Sequence, residues 1–109
     1  MENISIDEFM KLDIRVVQVM KAESIAGKSK ILKLTVELEA DEVRTIIAGG
    51  AQYYTPEYFV GKKFVALLNL VPRRIGGIES HGMFLAAEVA DKPVWLTVEA
   101  HVPQGSRIR

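Results

Sequence analysis

From Lys30 to Glu39 the chain alternates. Leu32, Leu34, Val36 and Leu38 fall on one side, and Ile31, Lys33, Thr35, Glu37 and Glu39 fall on the other. A period of two is the side-chain period of an extended strand, and it sets one face against a core while the other meets water. A helix would instead repeat its apolar positions every three to four residues. The chain must therefore provide further strands and an apolar layer for this strand to cover.

Those strands are legible on both sides of it. Asp13 to Val19 is rich in β-branched residues and reads as the first strand, joined to the second by a polar connection around Gly27. Ala40-Asp41-Glu42 is a tight polar turn, so Val43 to Ala48 is expected to pair back as a third strand ending at Gly49 and Gly50. Phe64 to Leu70 and Gly82 to Val89 supply a fourth and a fifth. Val94 to Val98 follows as a sixth after the turn at Asp91-Lys92-Pro93. Two short helices interrupt the series. Ser5 and Glu8 form a capping box for one, and Thr55-Pro56-Glu57 opens another that Gly61 closes.

Three strands in a meander, a short helix plugging one end and two more strands is the layout of an OB-fold. The expectation is an all-β chain forming a five-stranded OB-fold barrel with a short helix between strands three and four. The length of 109 residues suits one domain. Residues 1–11 and 91–109 lie outside the minimal barrel. With Phe9, Val94, Trp95 and Leu96 they offer material for a dimer interface, since apolar residues beyond a filled barrel need another surface to cover them.

The residue types narrow the function. There is no Cys, which excludes a disulfide framework and a thiolate nucleophile; His81 and His101 are far apart with no ligand pattern around them, so neither a metal nor another cofactor is expected. The longest apolar run, near Phe64–Val71, is too short to cross a bilayer, and Met1–Phe9 carries acids where a signal peptide would carry bases. A cytoplasmic protein without membrane contact is the expectation.

Net charge is zero, so the distribution of charge decides more than its sum. Ser24 to Val36 holds Lys28, Lys30 and Lys33 without an acid; Val60 to Ile78 holds Lys62, Lys63, Arg73 and Arg74, again without one. In an OB-fold the loops after strands one and four frame the ligand groove, and here these are Met20–Ser29 and Val71–Glu79. The acid-poor segments thus coincide with the groove, which points to nucleic acid. Lys28, Lys30, Lys33, Arg73 and Arg74 are suited to phosphate, although short like-charged runs also make ordinary solvated surfaces. Arg44 has Asp41 and Glu42 close by as partners.

Other polar residues leave two readings open. Asn69 interrupts an apolar strand and could contact a base or ribose, or satisfy backbone at the strand's end. Ser80 offers a hydroxyl to a phosphate or to its own turn. Gly82 suits close backbone approach or an unusual torsion. Met83 could lie beneath a base or belong to the core. With Tyr53, Tyr54 and Tyr58 near the short helix rather than in a platform, shape and backbone recognition of structured RNA is expected over a stacked single strand. Ser80 beside His81 is not read as a catalytic pair, because neighbours on an extended segment point to opposite faces and no third member is evident. No catalytic residue is assigned.

Several separated segments together resemble one family: Leu12-Asp13-Ile14-Arg15-Val16, Leu32-Lys33-Leu34, Arg44-Thr45-Ile46-Ile47-Ala48-Gly49, Tyr53-Tyr54-Thr55-Pro56-Glu57, Val60-Gly61-Lys62-Lys63, Asn69-Leu70-Val71-Pro72-Arg73-Arg74 and Gly77-Ile78-Glu79-Ser80-His81-Gly82-Met83. They resemble the tRNA-binding domain that occurs as a free-standing dimer, at the C-terminus of some methionyl-tRNA synthetases and in the EMAP II precursor; the chaperone CsaA belongs to the same family. The resemblance continues into Val102–Ile108. It implies an OB-fold, a homodimer and non-covalent binding of tRNA, with an aminoacyl-tRNA synthetase, methionyl-tRNA synthetase in particular, as a partner. The binding positions it implies are Lys33 and its neighbours on strand two, Asn69, Arg73, Arg74, and Ser80 to Met83. The first loop departs from the family, reading Ser24-Ile25-Ala26-Gly27-Lys28-Ser29 where relatives carry an His-Pro-Asp-Ala-Asp-Lys type of sequence. The rival reading is a peptide-binding chaperone resembling CsaA, using an apolar patch near Ile75, Ile78 and Met83.

Overall fold

The computed structural model describes residues 1–109. The order of elements is α1 (Ile6–Phe9), β1 (Ile14–Ile25), β2 (Lys28–Glu37), β3 (Val43–Gly49), α2 (Pro56–Phe59), β4 (Lys63–Leu67), β5 (Arg73–Ile75), β6 (Ile78–Ser80), β7 (Met83–Phe84), β8 (Ala86–Val89) and β9 (Lys92–Trp95). The capping box of α1 is present: Ser5 Oγ accepts from the Glu8 N–H, and the Glu8 carboxylate accepts from the Ser5 N–H. At α2, Pro56 stands in the first turn and Thr55 occupies the cap position without making a side-chain bond.

The alternation that opens β2 has the expected consequence. Leu32, Leu34, Val36 and Leu38 are all buried, in one cluster with Val17, Val19, Ile46, Ala48, Phe59, Phe64, Ala66, Leu68 and Phe84. Phe59 from α2 is fully buried there, so the short helix does plug the open end of the sheet. A second, smaller cluster lies on the other side of β1 and β4. Ile14, Val65 and Leu67 are buried under Phe9, Leu70, Met83, Leu85 and Ile108. Burial on both faces accounts for the apolar run Phe64–Leu67 of β4, which an alternating, half-exposed strand would not show.

The expected five-stranded barrel is not formed. The main sheet is open, with strands in the order β3-β2-β1-β4-β7, all adjacent pairs antiparallel, and β3 and β7 at its two edges. No ladder joins the two edges. β7 pairs with β4 through only Ala66↔Phe84 and Leu67↔Met83. Just before it, Gly82 takes φ +146°, where a Cβ would lie 3.1 Å from both Ile46 Cδ1 and the Leu67 carbonyl oxygen. Across the gap to β3 there is one main-chain bond, from the His81 N–H to the Thr45 carbonyl at 2.8 Å, and one side-chain bond made by Ser80.

Three other expectations shift. The first connection is not a loop over Met20–Ser29: β1 continues to Ile25 and β2 begins at Lys28, so a two-stranded ribbon turns at Ala26 and Gly27. The connection Val71–Glu79 contains a hairpin of its own, β5–β6, turning at Gly76 and Gly77. The expected strand Gly82–Val89 breaks at Leu85, after which β8 and β9 form a separate hairpin through Ala90 and Asp91, both at positive φ. Finally, the tail lies along the first half of β1, below the point where β2 pairs. Gly105 donates to the Val16 carbonyl, Val16 to that of Ser106, and Ile108 to that of Ile14.

Candidate nucleic-acid interface

The two acid-poor segments meet through a glycine. Gly76, at the tip of the β5–β6 hairpin, has φ +60°, and a Cβ there would lie 2.8 Å from Ile31 Cδ1 and 3.8 Å from Lys28 Cε. The hairpin tip therefore lies against the start of β2, in a left-handed conformation that favours glycine. Lys28 and Lys30 are exposed at that end of β2, and Lys33 is half-exposed on the face opposite the core. Arg73 and Arg74 are exposed on β5. None of these five cations lies within 4.0 Å of a carboxylate, whereas Arg15, Lys21, Arg44 and His81 each do.

The remaining candidates are occupied within the fold. The Asn69 carboxamide bridges two backbone positions, accepting from the Asp13 N–H at 2.8 Å and donating to the Lys11 carbonyl at 2.6 Å. It ties the N-terminal segment to the end of β4, which is the backbone-satisfying alternative. Ser80 is 2% exposed; its hydroxyl accepts from the Ile47 N–H at 3.0 Å and donates to the Gly82 carbonyl at 3.2 Å. It stands in for a ladder at the edge of β3. His81 is half-exposed and its ring pairs with Glu79 at 2.8 Å, so the serine and the histidine share no hydrogen bond. Met83 is half-buried in the smaller apolar cluster. Ile75 and Ile78 are also half-buried, opposite one another on the hairpin.

Two arginines are committed elsewhere. Arg15 Nε lies 2.7 Å from Asp13 Oδ1, with Glu39 at 3.6 Å. The hydrogen bond to Asp13, acting against burial, holds the guanidinium above its ordinary pKa. Arg44 donates to the Leu68 carbonyl at 2.7 Å and sits 3.5 Å from Glu42, one of the partners its sequence neighbourhood suggested.

A family model described as "Putative tRNA binding domain" matches residues 14–107. The chain belongs to that family. The methionine–tRNA ligase of Archaeoglobus fulgidus is 48% identical over 107 residues, taking in 98% of this chain but 16% of the ligase. A crystallised MetRS related protein from Pyrococcus horikoshii is 42% identical, matches over 100% of both chains and superposes with a TM-score of 0.91. The chaperone CsaA of Bacillus anthracis is 25% identical over 99% of this chain and 100% of its own, with a TM-score of 0.88. The chain thus corresponds to a non-catalytic tRNA-binding module with an OB-fold, not to the active site of a ligase.

In this tRNA-binding domain the sequence pattern marked the candidate cations but not what surrounds them. Ile31 and Gly76, which join the two basic segments, were missed as site residues. The alternation did put Ile31 on the same face as Lys33, and the pair Gly76-Gly77 did mark a tight turn. Nothing local in the sequence announced that the tip of that turn would meet β2, because the contact depends on the path of the whole connection between β4 and β7.

Proposed function

We propose that this domain binds tRNA without chemistry, in the cytoplasm and as a homodimer, through the exposed cations Lys28, Lys30, Lys33, Arg73 and Arg74. The observation that carries the reading is the seat of Gly76 on Lys28 and Ile31, which brings the two basic segments side by side. None of the five is in an ion pair, although Glu23 stands opposite Lys33 in the β1–β2 ladder and Glu79 opposite Arg74 in the β5–β6 ladder; a polyanion releases its own counterions when it binds such cations. Arginine adds a planar fork that grips phosphate with two donors. Asn69, Ser80 and Met83 act in this reading by holding the strand ends that present the surface.

Association with methionyl-tRNA synthetase is part of the proposal, supported by the ligase relatives. The homodimer is supported by apolar side chains that the fold leaves uncovered, among them Ile4, Ile6, Val94 and Leu96. Sedimentation equilibrium at micromolar concentration should give twice the chain mass, and a strict monomer would remove that part.

Binding itself is tested with total tRNA over a salt series, comparing the wild type with Arg73→Ala/Arg74→Ala. The double variant should bind more weakly at low salt and show a shallower salt dependence, each lost phosphate contact lowering the slope by about 0.7–0.9. The loss should be similar across different tRNAs, since phosphate contacts position without specifying. Equal binding by both proteins, or a wild type that prefers unfolded peptide to tRNA, would favour the chaperone reading.

A further inference from the structure

Beside the basic face there is a hollow of about 330 Å³, walled by the β1–β2 ribbon and by the segment leading into α2. Small-molecule sites begin at roughly this size, ~300 Å³. Lys28 and Ile31 line it, and these are the two side chains that the tip of the β5–β6 hairpin touches. The hollow is therefore continuous with the surface proposed to take phosphate.

Its lining has the chemistry of a base site. Tyr53 is 47% exposed, with its N–H bonded to the Gly50 carbonyl at 2.8 Å and Lys92 Nζ 6.0 Å from its ring centre. Its neighbour Tyr54 is fully employed: the hydroxyl donates to the Pro93 carbonyl at 2.7 Å, and the ring packs beside Phe59 and Trp95. Apolar Leu32 and Ile31 contribute to the wall, and Ser24, Gln52 and Thr55 bring polar groups. The Thr55 hydroxyl holds the helix-cap position yet makes no cap bond, and neither Ser24 nor Gln52 uses its side chain in a hydrogen bond within the chain. An exposed aromatic face, free donors and acceptors around it, and a lysine at the rim suit a planar heterocycle attached to a phosphate.

We propose that this hollow receives one unstacked nucleobase of the bound RNA. The base lies against Tyr53, its edge meets Gln52 and Thr55, and the adjoining phosphate is held by Lys28. Splayed-out bases in loops and ends are where proteins read RNA, because the deep groove of an RNA duplex hides base edges. The site thus adds to the basic face what phosphate contacts lack, a preference for RNA with a free base at a set distance from a helix. The inference rests on the RNA-binding reading above.

The test is total-tRNA affinity across a salt series for wild type, Tyr53→Ala, Tyr53→Leu, Tyr53→Phe and Arg73→Ala/Arg74→Ala, with thermal melts run on each. Tyr53→Ala and Tyr53→Leu should bind about tenfold more weakly at every salt concentration, as expected for loss of one aromatic stack. Their salt slope should stay that of the wild type, and Tyr53→Phe should bind as wild type does. If wild type binds tRNA and Tyr53→Ala binds equally well, the base site falls and the phosphate surface stands. A leucine variant that retains full affinity, or a Tyr53→Ala slope reduced like that of the double arginine variant, also overturns the base site. A wild type that ignores tRNA overturns both readings together.

Discussion

Two sets of cations in this domain have contrasting surroundings. Near the start of β1 and the free edge of β3, Arg15 and Arg44 are held by carboxylates and a carbonyl: Asp13 and Glu39 for the first, Glu42 and Leu68 for the second. On the start of β2 and on β5, Lys28, Lys30, Lys33, Arg73 and Arg74 have no carboxylate within 4.0 Å. A paired arginine has its charge compensated and its fork filled, so it serves the fold. An unpaired one carries a field into solvent. Counting basic residues would merge the two groups, and it is the neighbours that separate duty in the fold from availability to a phosphate.

Substitutions that serve the fold should cost stability without altering how RNA is held. Leu34→Ala should have the largest effect, lowering unfolding free energy by about 2–5 kcal/mol in a denaturant titration, because the side chain is fully buried in the main cluster. Ser80→Ala comes next, at about 1–3 kcal/mol, since it leaves the Ile47 N–H without its buried acceptor. If the hydroxyl served RNA instead, Ser80→Ala would keep its stability and lose affinity, which would move Ser80 from the first group to the second. Arg44→Ala should cost about 1 kcal/mol through the lost bond to Leu68 and leave tRNA affinity in place. Lys30→Ala should change stability least, within ~0.5 kcal/mol, while lowering the salt slope of tRNA binding by a single contact.

The same division describes what could be read in advance. Leu32, Leu34, Val36 and Leu38 announced both their strand and their buried face, because a period of two is a local signal that burial reinforces. Ser5 with Glu8, and Thr55 with Pro56, marked the helix starts for equally local reasons. Closure of a barrel was not legible: it turned on how few residues of β7 reach β4 and on the lack of a ladder from β7 to β3, which are matters of long-range register. The split of the last strands at Leu85 was missed for a related reason, since Gly82 to Ala87 is apolar throughout and carries no break signal. Of the candidate site, the five cations were singled out by acid-poor stretches of sequence, a local signal blind to Glu23 opposite Lys33 and Glu79 opposite Arg74. The inward turn of Ser80 and the clasp made by Asn69 were not, because each depends on partners 33 and 58 positions away.

The most direct test sets the two groups side by side. The slope of tRNA affinity against salt is measured for wild type, Arg73→Ala/Arg74→Ala and Arg15→Ala/Arg44→Ala, at a temperature where all three are folded. The account predicts that the first double variant loses about 0.7–0.9 of slope per arginine and that the second keeps the wild-type slope. Equal losses in the two, or a loss confined to the Arg15 and Arg44 variant, would contradict it.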